Sequence, residues 1–114
     1  MEINTEHYRI CYDPATATVS FAGSLRLSGP AEYGPISKLL SDVGDLEPPK
    51  IILNLEELEF LNSSGISTLS KFIIEVRKKA RMQMIVQGSQ SIGWQAKSLK
   101  NLQRLMPALF LEFI

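Results

Sequence analysis

The sequence predicts an α/β domain built on a mostly parallel sheet of about five strands, with an N-terminal antiparallel hairpin and three helices in the order β-β-α-β-α-β-α-β. Three observations carry this reading. Residues 7–23 alternate apolar and polar side chains with period two around a proline turn. Residues 50–55, Lys-Ile-Ile-Leu-Asn-Leu, form a near-continuous apolar run of the kind buried inside a sheet. Later strand-like runs are separated by apolar residues at helical spacing, which implies right-handed crossovers between parallel neighbours. The chain has 114 residues and forms one domain, 1–114, long enough for a single core.

Each element follows from local signals. Tyr8, Ile10 and Tyr12 alternate with Arg9 and Cys11, and Ala17, Val19 and Phe21 with Thr18 and Ser20. Asp13-Pro14-Ala15-Thr16 turns the chain, because proline fixes φ and aspartate bonds nearby amides. The hairpin is placed at 7–13 and 16–23. Tyr33, Ile36, Leu39, Leu40 and Val43 recur at helical spacing within 31–44, with the start left open because Pro35 lacks an amide donor. Glu47-Pro48-Pro49 is a rigid connection into the strand at Lys50–Leu55, after which a turn is expected. Ile66, Leu69, Ile73, Val76 and Ala80 repeat at 3, 4, 3 and 4, the clearest helix in the chain. Met82–Gln87 is a strand. Ile92, Leu99, Leu102 and Met106 outline a helix over about 92–105, stopped by Pro107, and Leu109–Phe113 is the last strand.

Composition narrows the function. Twelve basic and twelve acidic side chains cancel, which argues against a generic nucleic-acid binder, since that affinity comes from many neutralised phosphates. Residues 1–60 hold 4 basic and 10 acidic side chains, and residues 61–114 hold 8 and 2. Folding is expected to interleave these halves. No apolar run approaches the roughly 20 residues of a membrane span, and the polar, acidic N-terminus lacks the pattern of a secretory signal. The single Cys11 forms no internal disulfide, so a cytoplasmic location is expected.

Catalytic signatures are sparse. The only histidine, His7, reads as an edge-strand surface residue, and there is no Gly-x-Ser-x-Gly elbow, phosphate loop or metal-ligand spacing. A nucleophilic serine needs a base within reach, so catalysis, a cofactor and a metal are not expected. Asn62-Ser63-Ser64-Gly65 opens the clearest helix. Plain N-capping explains it, because Asn and Ser oxygens accept first-turn amides, yet two hydroxyls and an Asn exceed what one cap needs. Trp94 is either core or an exposed anchor. Arg77, Lys78, Lys79 and Arg81 are either a solvated helix end or a docking patch for an acidic partner.

The stretch from Ile51 to Lys79 resembles the STAS domain family, the anti-sigma-factor antagonists. That family has a strand of three apolar residues, an acid and another apolar residue, and then aromatic-apolar-Asp-Ser-Ser-Gly at a helix start. The corresponding residues are Ile51-Ile52-Leu53-Asn54-Leu55 and Phe60-Leu61-Asn62-Ser63-Ser64-Gly65, and Gly23-Ser24-Leu25 resembles the family's Gly-x-apolar after its second strand. The resemblance implies a single STAS-like domain with no enzymatic activity and no cofactor. It implies Ser63 as the phospho-acceptor of a partner that is both anti-sigma factor and serine kinase, with a phosphatase reversing the reaction. Asn62, Ser64 and Gly65 would form the helix start and partner-binding surface. Arg77, Lys78 and Lys79 remain the candidate docking patch.

Two departures stand out. The family's two acids are amides here, Asn54 and Asn62, which removes a negative charge beside Ser63. The chain also stops at Ile114, where many members add a helix, so an open face is expected to be covered by a partner or by self-association as a homodimer. Three readings follow: a phosphorylation-controlled switch, a scaffold that binds without phosphorylation, and a small hydrolase using Ser63.

Overall fold

The computed structural model describes residues 1–114, and its sheet has six strands in chain order. They are β1 (Glu2–Asn4), β2 (Tyr8–Asp13), β3 (Thr18–Leu25), β4 (Lys50–Leu61), β5 (Gln83–Gly88) and β6 (Phe110–Phe113). The β1–β2 and β2–β3 pairs are antiparallel and the remaining three are parallel. Four helices connect them: α1 (Gly29–Glu32), α2 (Gly34–Asp45), α3 (Ser63–Lys79) and α4 (Gln95–Gln103). The hairpin forms as expected, its turn closed by Asp13, whose carboxylate accepts from the Ala15 amide at 3.0 Å and the Thr16 hydroxyl at 3.2 Å.

The structure adds two elements to the expected order. β1 is too short to show a period and is recognisable only by its pairing, reinforced by the Glu2–Arg9 ion pair at 3.2 Å. The helix expected within 31–44 is two pieces, a single turn α1 and then α2, which carries Pro35 in its first turn. The expected helix over 92–105 narrows to Gln95–Gln103, with Trp94 at its N-cap.

The turn expected after Leu55 is absent. β4 continues to Leu61 and keeps pairing with β3 through two bulges, where Ser20 and Ala22 face Asn54 and Glu57, and Gly23 and Ser24 face Leu58 and Phe60. The physical reason lies in the spacing of Leu55, Leu58 and Leu61. A regular strand alternates faces, so residues three apart point to opposite sides. One extra residue per interval restores all three to the core, where they are at most 8 % exposed. The Asn54 side chain fixes the first bulge by accepting the Glu56 amide at 3.0 Å.

All the core-forming helices lie on one face of the sheet. Ile36 and Leu40 of α2, Leu69 and Ile73 of α3, and Leu99 of α4 join Ile10, Val19, Leu53 and Val86 in one hydrophobic cluster. The opposite face carries the half-buried Cys11, Ser20, Asn54 and Gln87 in one cross-strand row, with Ile52, Ile85 and the exposed Phe110 in the next. Because each crossover steps to the next strand, sheet order equals chain order. The acidic and basic halves of the sequence are therefore not interleaved. The acidic half occupies the β1 side of the sheet and the basic half the β6 side. No helix is long and apolar enough to cross a membrane.

Candidate functional site

The site sits at the C-terminal end of β4, where the central strand passes into α3, the longest helix. Asn62 makes the transition. Its backbone is extended, and its side-chain oxygen accepts the Gly65 amide at 2.9 Å and the Tyr33 hydroxyl at 2.7 Å. Its side-chain nitrogen donates to the Leu27 carbonyl at 2.7 Å, and its own amide donates to the Leu25 carbonyl. Both ends of the amide are thus in use, which a carboxylate at this position does not reproduce, because it has nothing to donate to Leu27.

Tyr33 completes the arrangement from the short link between α1 and α2. It is 1 % exposed, and burial pushes its hydroxyl above the ordinary tyrosine value. Contact with the Leu27 backbone partly opposes this shift and Tyr8 adds to it. The group therefore stays a neutral donor to Asn62 through the physiological range. Gly65 packs under both, and a Cβ there would stand 2.8 Å from the Tyr33 oxygen and 2.2 Å from a Leu61 methyl. A side chain at residue 65 therefore crowds out the network that caps the helix.

Within Asn62-Ser63-Ser64-Gly65 the capping falls to one residue. Asn62 does the capping. Ser63 is exposed in the first turn and Ser64 is half-buried. Ser64 also lines a polar cleft of about 250 Å³ with Ser37, Ser67, Thr68 and Lys71, between α3 and the α1–α2 segment. His7 lies elsewhere, in the β1–β2 connection, lining a groove with Arg26 and Tyr8 that does not include Ser63.

Removal of Asn62 is expected to be costly. In Asn62→Ala the helix loses its cap, worth about 1 kcal/mol, and the buried Tyr33 hydroxyl is left unpaired for a further 1–3 kcal/mol. Asn62→Asp keeps the capping oxygen and loses only the bond to Leu27. Urea unfolding is expected to show a loss of roughly 3 kcal/mol for alanine and about 1 kcal/mol for aspartate. Equal losses would mean that the bond to Leu27, which both variants lose, carries the whole effect.

Gln95, which the sequence did not single out, and Trp94, expected as either core or anchor, support the strand leading into the site. β5 pairs with β4 only along Lys50–Asn54, leaving the bulged half of β4 without a strand on that side. The N-terminus of α4 fills the place. Gln95, fully buried, donates to the Leu55 and Leu58 carbonyls at 2.7 and 3.0 Å and accepts the Ser89 amide at 2.7 Å. Trp94 donates its indole N–H to the Glu59 carbonyl at 2.7 Å and packs half-buried against the core. The signal was present: Gln95 falls in the 3, 4, 3, 4 series with Ile92, Leu99, Leu102 and Met106, a polar residue in an apolar stripe.

The basic cluster at the end of α3 does not form one patch. Arg77 reaches toward α4 and donates to the Leu105 carbonyl at 2.9 Å. Lys79 turns the other way, to Asp45 at 3.0 Å, and Lys78 is exposed between them.

The comparisons bear on family and fold. The STAS domain family model matches residues 16–93. No curated protein matches the sequence significantly. A chain in the crystal structure of the diguanylate cyclase SiaD in complex with its activator SiaC, from Pseudomonas aeruginosa, superposes with a TM-score of 0.74 at 14 % identity, covering 100 % of this chain and 99 % of that one. Apo-SiaC from the same organism gives 0.71 at 10 % identity, with 99 % and 98 % covered. An anti-sigma factor antagonist from Mycobacterium paratuberculosis gives 0.67 at 18 % identity, with 95 % and 90 % covered. At these identities the likeness is one of fold.

Proposed function

The chain belongs to the STAS domain family, and from that premise we propose that it is a non-enzymatic, cytoplasmic partner-switching module controlled by phosphorylation of Ser63. The observation that carries this reading is the division of labour at the head of α3. Asn62 caps the helix, so the exposed Ser63 hydroxyl is not spent on holding the fold together. A phosphoryl group there adds about −1.5 to −2 charge and three acceptor oxygens. The helix N-terminus tolerates that charge, whereas a protein surface packed over residue 63 does not. The switch therefore acts on binding and leaves folding intact.

The partners in this reading are an anti-sigma factor or serine kinase and an opposing phosphatase. The structural neighbours include an anti-sigma factor antagonist and an activator bound to a diguanylate cyclase. The regulated partner is thus either a transcription-control protein or a signalling enzyme. A second reading, a scaffold that binds without phosphorylation, draws on Asn62, which places no negative charge beside Ser63.

Ser63→Asp and Ser63→Ala separate the two. Aspartate is expected to stabilise the fold by about 0.3–1 kcal/mol in thermal unfolding, through the helix dipole. It is also expected to weaken partner binding at least tenfold by calorimetry, while alanine leaves both nearly unchanged. Equal partner affinity for the two variants selects the scaffold. Mass mapping of chain incubated with ATP and its partner kinase is expected to find phosphate on Ser63. A kinase active on another substrate that leaves Ser63 bare removes the switch.

A further inference from the structure

Sheet order and chain order coincide, so the charge split of the sequence becomes a charge gradient across the molecule. No acidic residue lies between Glu75 and Glu112, a span that includes the end of α3, all of β5 and all of α4. Of the basic side chains in that span only Lys79 forms an ion pair, and it does so with Asp45 from the other half. The other two ion pairs of the molecule are Arg9–Glu2 and Lys38–Asp42, both on the acidic side.

The positive charge is ordered as well as unpaired. Along α4 and its C-cap, Lys97, Lys100 and Arg104 are spaced three and four apart and all are exposed, so they form one stripe. It stands opposite the buried stripe of Gln95, Leu99 and Leu102. Arg77 ties the end of α3 to Leu105, just past α4, which brings the exposed Lys78 and Arg81 to the same end of the molecule.

We propose that this α4 stripe, with Lys78 and Arg81 beside it, is a docking surface for an acidic segment of a partner protein. Three observations fix the occupant. The stripe is almost entirely cationic, with no large apolar side chain among the exposed positions of α4, so it attracts by charge rather than by apolar burial. A second copy meeting it through the same surface would set positive against positive. A nucleic-acid duplex supplies a longer line of phosphates than one short helix neutralises. A short acidic protein segment matches both the sign and the length.

The inference rests on the reading that the chain works by binding a partner, but not on phosphorylation of Ser63. Its test uses the unphosphorylated full chain. Poly-L-glutamate of about 50 residues is titrated into the isotope-labelled protein and amide shifts are followed by NMR. Shifts are expected on residues 95–105 and 77–81, with little change on β1, β2 and β3. Binding is expected to weaken at least about tenfold between roughly 50 and 500 mM salt. It is expected to be abolished in Lys97→Glu/Lys100→Glu/Arg104→Glu. Should that variant unfold, the neutral Lys97→Gln/Lys100→Gln/Arg104→Gln takes its place, with the same expected loss. Shifts that are absent, or that spread over both flanks, overturn the proposal. So does tighter binding of a 20-base-pair DNA duplex than of poly-L-glutamate at equal salt. Failure here leaves the Ser63 switch untouched, because no step depends on phosphate.

Discussion

Gly23→Ala is expected to destabilise the domain by more than about 4 kcal/mol in urea unfolding, a large share of the stability of a domain this size. Two effects add at this position. Gly23 has φ +89°, which costs an L-residue about 1–2 kcal/mol. A Cβ there would also stand 2.3 Å from the His7 carbonyl oxygen and 3.0 Å from the Tyr8 Cα. These are backbone atoms, so β2 itself must move. That movement breaks the 2.9 Å bond from the Ser24 amide to His7 and the start of the β2–β3 ladder. Gly29→Ala isolates the first effect. Its φ is +69°, but nothing lies within 4 Å of its Cβ position. It is expected to lose only about 1 kcal/mol. Equal losses in the two variants would show that the dihedral, not the close approach of β2, fixes glycine at residue 23.

Gln95→Leu is expected to lose about 3 kcal/mol and on the order of 10 °C in Tm. Leucine preserves the bulk but leaves the Leu55 and Leu58 carbonyls and the Ser89 amide without their buried partner. Both carbonyls belong to the bulged half of β4, so the damage reaches the strand that sets the head of α3. Hydrogen exchange distinguishes this from general loosening. Amides of Leu55–Leu61 and of the first turn of α3 are expected to lose protection before those of β1 and β2. Uniform loss over the whole sheet would show that Gln95 acts on global stability alone. Trp94, the only tryptophan, sits beside this strand on the Glu59 carbonyl. Its emission provides a local readout of the same change.

Parts of the site were legible in the residues and parts were not. Ser63 at a helix start followed from Asn-Ser-Ser-Gly and the 3, 4, 3, 4 apolar series, both of which are local. The role of Asn62 was half legible. Its oxygen reads as a cap, but its nitrogen bonds Leu27, 35 positions away. No local rule supplies that partner. A turn was expected after Leu55, but β4 continues to Leu61, although Leu55, Leu58 and Leu61 do not alternate as strand residues do. Only the bulges against β3 reconcile that spacing with a strand. Arg77, Lys78 and Lys79 looked like one patch because they are consecutive. A helix turns 100° per residue, so consecutive side chains point apart, toward Leu105, solvent and Asp45 in turn.

By itself the sequence determined the fold class, the hairpin, the long motif helix and the position of Ser63, because alternation, helical period and capping chemistry act over a few residues. It also fixed the division of charge between the two halves of the chain. The tertiary structure decided what that division means. Crossovers that each step to the adjacent strand keep chain order as sheet order, so charges separated along the chain stay separated in space. It also decided which polar side chain completes β4 and which amide holds Tyr33. Both contacts join distant segments, and only packing of the helices on the sheet brings those segments together.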